Sequence, residues 1–135
     1  MQDSFLLDRA RNMTDRSLPK SEIMRGEIAV SRLFSEGGRG FCYPFRYIFR
    51  ITEGGGAKAL VSVPKKNFKK AVVRNLLKRR TKEAYRLNKS TMLGKTTEAE
   101  KTVELALIYS SKDIHDYKTI NNGVKRVLAE IVGRL

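Results

Sequence analysis

Tryptophan is absent from this 135-residue chain, cysteine and histidine occur once each, and acidic residues are half as frequent as basic ones. The lone cysteine, Cys42, excludes an internal disulfide, and no Cys/His set has the spacing of a zinc site, which fits a reducing cytoplasm. The lone histidine, His115, lies near Asp113 and Asp116 with neither a second histidine nor a nucleophile close in sequence, the pattern of a turn residue and not of a general base. A nuclease with its own metal ions needs clustered carboxylates; Glu98, Glu100 and Glu104 come nearest and read as a solvated run. No apolar run approaches the roughly 18–20 residues that span a bilayer. The Phe5-Leu6-Leu7 island, set among Asp3, Asp8 and Asp15, is too short and too acidic for a secretory signal. The expectation is a soluble, cytoplasmic protein with no membrane association.

What the chain has in excess is positive charge: 28 Lys and Arg against 14 Asp and Glu, a formal net charge of +14 and a pI near 10.2. Self-repulsion of that size points to a polyanionic partner. Nucleic acid is the usual one, because each neutralised phosphate releases condensed counterions. A basic protein of the membrane surface is the competing reading. The length suits one core, so the expected organisation is a flexible arm over residues 1–17 and a single domain over 18–135.

Ser17 to Ser21 reads as a turn, followed by a helix from Ile23 to Phe34 that Gly37, Gly38 and Gly40 stop. Phe41 to Ile51 alternates as one strand, with Phe41, Tyr43, Phe45, Tyr47, Phe49 and Ile51 on one parity. Glu53-Gly54-Gly55-Gly56 reads as a hairpin connection to a second strand, Ala57 to Val63. A helix from about Phe68 to Asn88 follows, its core side formed by Val72, Val73, Leu76, Leu77, Ala84 and Leu87. Ser90 to Lys101 reads as a loop, Val103 to Tyr109 as a buried strand, and Tyr117 to Leu135 as a closing helix whose start Asn121, Asn122 and Gly123 blur. The order α-β-β-α-β-α, with room for a further short strand near the glycine-rich segment, predicts an α+β sandwich.

The charge concentrates between Lys65 and Lys89, where eleven basic residues face the single acid Glu83. Lys70, Arg74, Lys78, Lys82 and Arg86 recur every four residues, a stripe opposite the core side flanked by Asn75 and Tyr85. Like charges at that spacing repel, by some tenths of a kcal/mol per pair, and the stripe makes sense when phosphates lie against it. A solvated helix face is the bland alternative, but such faces usually interleave Glu with Lys. Arg80 falls within the apolar side and either snorkels past Leu76 and Leu77 or projects into a groove between helix and sheet. The aromatic parity of the first strand is either core or a stacking platform for unpaired bases, with Tyr47 and Phe49 the residues best suited to touch RNA. Gly94-Lys95-Thr96 ends like a phosphate-binding loop, but the glycine required five residues earlier is Lys89 and no strand precedes it.

Three segments then fall together: Ser62-Val63-Pro64-Lys65-Lys66, Ala71-Val72-Val73-Arg74-Asn75-Leu76-Leu77-Lys78-Arg79 and Lys82-Glu83-Ala84-Tyr85-Arg86. They resemble the signature of bacterial ribonuclease P proteins, in which a strand ending in Ser-Val-Ser-Lys-Lys enters a helix with Arg-Asn-Arg, a Lys-Arg pair and Arg-Glu-Ala-aromatic. The similarity reaches upstream to Leu18-Pro19-Lys20, Leu33-Phe34-Ser35-Glu36-Gly37 and Tyr43-Pro44-Phe45-Arg46, and downstream to Leu105-Ala106-Leu107-Ile108 and the closing helix, most of residues 18–132.

That resemblance implies a two-layer α+β sandwich, a mixed sheet of about four strands and a rare left-handed βαβ crossover around the basic helix. It also implies a protein with no catalytic residue and no obligate protein partner. A catalytic RNA subunit removes the 5′ leader of precursor tRNA with Mg2+ held by RNA phosphates, while the protein binds that RNA and the leader. By the same analogy Arg74, Asn75, Lys78 and Arg79 meet the RNA subunit, within a surface that adds Lys65, Lys66, Lys69, Lys70, Lys82 and Arg86. The leader would run through a cleft between the basic helix and the sheet, lined by Phe34, Tyr47, Phe49 and Arg80. The third position of Arg-Asn-Arg is Leu76 here, so no role at that position transfers. A ribosomal protein and an enzyme with its own active site are the rival readings.

Overall fold

The computed structural model describes residues 23–24 and 26–135; the expected arm over 1–17 and the turn from Ser17 to Ser21 lie outside the described residues. The order of elements is α1 (Glu27–Glu36), β1 (Gly38–Cys42), β2 (Phe45–Glu53), β3 (Gly56–Ser62), α2 (Ala71–Ala99), β4 (Lys101–Tyr109) and α3 (Tyr117–Val132). The strands form one mixed sheet in the order β1-β2-β4-β3, with β3 parallel to β4 and the other pairs antiparallel. The fold is α+β, as expected from the sequence.

The expected single strand from Phe41 to Ile51 is two strands. Pro44 has no N–H to give to a ladder, and the chain reverses at Tyr43-Pro44, whose peptide bond is cis, so that Cys42 faces Phe45 and Gly40 faces Tyr47. Gly38 and Gly40 therefore stop the helix and also serve β1. A Cβ on Gly38 would stand 2.7 Å from the Phe49 ring, and one on Gly40 would overlap the Tyr47 ring. The two rings lie across the bare backbone of β1.

The expected hairpin between β2 and β3 is also corrected, because β4 lies between them. Val103, Leu105 and Leu107 of β4 are wholly buried, facing Ile51, Phe49 and Tyr47 on one side and Ala57, Ala59 and Val61 on the other. The slot between β2 and β3 is the most apolar site available for a strand read as buried. Their connection must then arch over the start of β4. Gly54 and Gly56 take positive φ there, and the Gly54 N–H donates to the Glu100 carbonyl at 3.1 Å.

The helix α2 starts three residues later and ends eleven residues later than the expected Phe68–Asn88, so the expected loop over Ser90 to Lys101 is mostly helix. Ser, Thr and Gly are weak helix formers, each at about 0.5–1 kcal/mol against alanine. Tertiary burial outweighs that: Met92 and Thr96 are fully buried and continue the line of Leu77, Thr81, Ala84 and Tyr85. The core side is accordingly rotated from the expected one. Val72 is 79% exposed, and Leu76 and Leu87 are only half-buried.

Helices α2 and α3 pack side by side on the sheet face that carries Phe45, Tyr47, Leu105 and Leu107, and α1 covers part of the opposite face through Leu33, Ile48 and Ala106. Asp116 caps α3 by accepting from the Thr119 N–H, so Asn121, Asn122 and Gly123 lie inside the helix. A Cβ on Gly123 would come within 2.8 Å of the Pro44 ring and 2.9 Å of the Tyr43 carbonyl oxygen, which places α3 directly on the β1–β2 turn. The helix ends at Val132, short of the expected Leu135. No helix among the described residues is long and apolar enough to cross a membrane.

Two glycine substitutions separate propensity from packing. Gly94 is exposed within α2 with open space around its Cα, so Gly94→Ala should stabilise the fold by about 0.5–1 kcal/mol. Gly123→Ala should destabilise it by about 1–3 kcal/mol. Urea midpoints at unchanged slope report both.

Candidate nucleic-acid interface

The basic segment begins in the turn after β3. Lys65, Lys66, Lys69 and Lys70 are exposed there, followed on α2 by exposed Asn75, Arg79 and Lys82 and by half-buried Arg74, Lys78 and Arg86. The core line through Leu77, Thr81 and Ala84 holds the opposite side of the helix down, so this surface is turned outward. Among the described residues, the only acid paired with it is Glu83, which accepts two hydrogen bonds from Arg86 at 3.1 and 2.6 Å. That pairing holds the Glu83 carboxyl below its ordinary range. Lys89, the last cation of the segment, is 2% exposed and belongs to the interior.

Two arginines have structural duties. Arg74 reaches back along the chain and donates to the carbonyls of Phe68 at 2.7 Å and Lys69 at 2.8 Å, fixing the lysine-bearing segment against the first turn of α2. Arg80 donates to the His115 carbonyl at 2.6 Å, tying α2 to the loop between β4 and α3. Neither of the two routes expected for Arg80 describes it fully: its polar end is spent on a backbone acceptor.

The structure does not bring Phe34, Tyr47, Phe49 and Arg80 into one cleft. Phe34 packs with Leu33, Ile48 and Ala106 beneath α1, whereas Tyr47 and Phe49 face the other way, toward α3. Tyr47 is 1% exposed and its hydroxyl donates to Glu130, so its ring offers no open face to a base. Phe49 is half-buried under Arg134, whose guanidinium lies 4.9 Å from the ring centroid. Large rings beside a central strand remove more apolar area from water in the core than on a surface, and that decides their side. The opposite parity is the open one. Arg39, Phe41, Arg46, Ile48 and Ile108 line a groove of about 390 Å³ beside α1, with Phe41 facing Arg46 and Arg39 facing Ile48 across the strand pair. Aromatic alternation marks the buried parity and leaves this set unmarked; Arg46 and Arg50, on the other parity of β2, are the signal the sequence carries.

Around Tyr47 a phenol and a thiol are held neutral beside an ionised carboxylate. Burial, then the hydrogen bond to the Glu130 carboxylate, pushes the Tyr47 phenol from 10.0 to about 12, and the same two causes push the Cys42 thiol from 9.0 to about 11. Glu130 is correspondingly held low by accepting from both, Tyr47 first. Among the described residues no cluster of His, Cys, Asp or Glu gathers as a metal site.

A mixed four-stranded sheet with one long helix, cationic on its outer side and carrying the connection between parallel strands, defines a strongly basic α+β protein. The family model described as Ribonuclease P matches residues 18–132. The ribonuclease P protein component of Porphyromonas gingivalis is 33% identical over 121 residues, 87% of this chain and 88% of that one. That of Chlorobaculum tepidum is 44% identical over 82 residues, 56% of this chain and 53% of that one. Among solved structures, the RNase P protein of Thermotoga maritima aligns with a TM-score of 0.65 at 24% identity over 81% of this chain and 96% of that one. The Staphylococcus aureus RNase P protein aligns at 0.61 and 21% over 83% and 96%. The chain belongs to the ribonuclease P protein family, the protein component of that ribonuclease.

Arg74→Ala should lower stability by about 1 kcal/mol or more through the two lost carbonyl contacts, while Lys78→Ala should stay within about 0.5 kcal/mol; denaturant titration distinguishes them. A second expectation concerns alkali. With folded pKa values of Cys42 and Tyr47 raised above their ordinary 9.0 and 10.0, their stabilisation is complete below about pH 9 and is lost as pH climbs toward 12. Tyr47→Phe should make stability fall less steeply between pH 10 and 12.

Proposed function

We propose that the protein binds the catalytic RNA subunit of ribonuclease P and the 5′ leader of precursor tRNA, and assists removal of the leader to give the mature tRNA 5′ end. The observation that carries this reading is the outward-facing cationic surface from Lys65 to Lys82, free of acidic partners among the described residues, lying inside the segment matched to the family. Lys65, Lys66, Lys69, Lys70, Asn75, Lys78, Arg79, Lys82 and Arg86 contact the RNA subunit, and Arg74 both contacts it and shapes the lysine segment. Leu76, in place of the family's second arginine, adds no phosphate contact. Bond cleavage belongs to the RNA, with Mg2+ held by its phosphates; the protein contributes charge neutralisation and position.

The leader runs over the open sheet face beside α1. Phe34 and Ile108 offer partly exposed apolar surface there, and Arg39 and Arg46 offer charge for a single strand. Tyr47 and Phe49 support that face from beneath, and Arg80 holds the neighbouring loop.

Cleavage of a precursor tRNA by the matching RNA subunit at low magnesium, with and without the protein, is the direct test. The protein should raise the rate or the substrate affinity, and no effect on either would overturn the reading. Cleavage by the protein alone would instead favour an enzyme with its own active site. If about five to eight cations meet phosphate, log affinity for the RNA subunit should fall against log salt with a slope of roughly −4 to −7.

A further inference from the structure

The cationic helix and the groove beside α1 leave one exposed aromatic feature unexplained, at the end of the sheet where the β1–β2 turn meets the loop after β4. Phe41 is 56% exposed and Tyr43 45% exposed, and their rings meet edge to face at 6.4 Å. Exposed tyrosines ordinarily keep the hydroxyl in water and lay the ring on protein. Tyr43 does the reverse. Its hydroxyl is bonded to His115 Nε2 at 2.9 Å and to Ser111 Oγ at 3.2 Å, and the His115 ring stands edge to face against it at 5.2 Å.

The anchors are themselves fixed. Ser111 Oγ accepts from the Asp113 N–H and is bonded to His115 Nε2 at 3.1 Å. The His115 N–H donates to the Tyr109 hydroxyl, which donates to the Asp113 carbonyl at 2.6 Å, and Arg80 donates to the His115 carbonyl. A ring held by its polar end is preorganised, so little side-chain entropy remains to be lost when something stacks on it.

We infer that Phe41 and Tyr43, buttressed by His115, form a stacking station for unpaired nucleotides of the leader beyond those lying beside α1. This rests on the proposed leader path and extends it. Phe41 belongs both to the groove and to the ring pair, so the two surfaces are continuous. Charge favours a polyanion: Arg39 and Arg46 share the face with Phe41, no acid pairs with either among the described residues, and Lys112 is exposed in the loop. Two acids lie in that loop as well, of which Asp116 is committed to capping α3 and Asp113 is exposed. Every base presents a π face, so the station is expected to tolerate sequence.

The test measures precursor affinity for the reconstituted holoenzyme with leaders of graded length, including none, for wild type, Phe41→Ala, Tyr43→Ala and Tyr43→Phe. The expected result is that both alanine variants bind long-leader precursors roughly five- to tenfold more weakly and leaderless substrate as wild type does, while Tyr43→Phe keeps most of the affinity. Phe41→Ala disturbs none of the loop hydrogen bonds, so it guards against a loss caused by loosening of the loop. Wild-type affinity for long leaders in both alanine variants would overturn the station, as would equal weakening toward leaderless substrate. Failure of the leader path itself looks different: wild-type affinity would then not depend on leader length.

Discussion

Burial of β4 is the constraint on which the rest depends. Its residues Val103, Leu105 and Leu107 have neighbours on both strands and a helix layer above, and they bring β2 and β3 into one sheet although those strands never pair. Because β4 must lie parallel to β3, the intervening chain has to cross the sheet face, and α2 is that crossing. Its apolar line through Leu77, Ala84, Tyr85 and Met92 sinks into the same core, which leaves one orientation for the cations on its other side. The display of positive charge is thus a consequence of hydrophobic burial. Repulsion along the helix is tolerated because the core supplies the opposing free energy.

The cations that shape the protein are chiefly arginines, and those it presents are chiefly lysines. Arg74 and Arg80 spend donors on backbone carbonyls, Arg86 is paired with Glu83, and Arg50 joins Glu36 at 3.5 Å and Glu104 at 3.1 Å to seat α1 on the sheet. The lysines between Lys65 and Lys82 have no such tasks among the described residues. Arginine's planar fork suits fixed acceptors, whereas the strongly hydrated ammonium of lysine is cheaply left in water until phosphate arrives. The alkaline-shifted pair Cys42 and Tyr47, with Glu130, belongs to the structural half of this division, joining α3 to the bare backbone of β1.

Parity governs the sheet in the same way. One face carries Phe45, Tyr47 and Phe49 under α3; the other carries Phe41, Arg46 and Ile48, of which α1 covers only part. Of the two roles that aromatic alternation allows, core or stacking platform, burial gives Tyr47 the first and puts it out of reach of a base.

How much was legible beforehand differs by level. The α+β class, the basic helix, the strand from Val103 and the family signature from Ser62 to Arg86 could be read from residue order, because periodicity and local charge are properties of neighbouring residues. The Tyr43-Pro44 reversal, the continuation of α2 to Ala99 and the insertion of β4 between β2 and β3 could not. Each is decided by contacts between residues distant in the chain, such as Gly123 against Pro44 and Met92 and Thr96 against the core, and these outweigh local propensities of about 1 kcal/mol. Residue order determined that this chain carries a strongly basic helix; only the tertiary structure decided which side of the sheet stays open beside it, since a strand alternates its faces without naming the one to be covered.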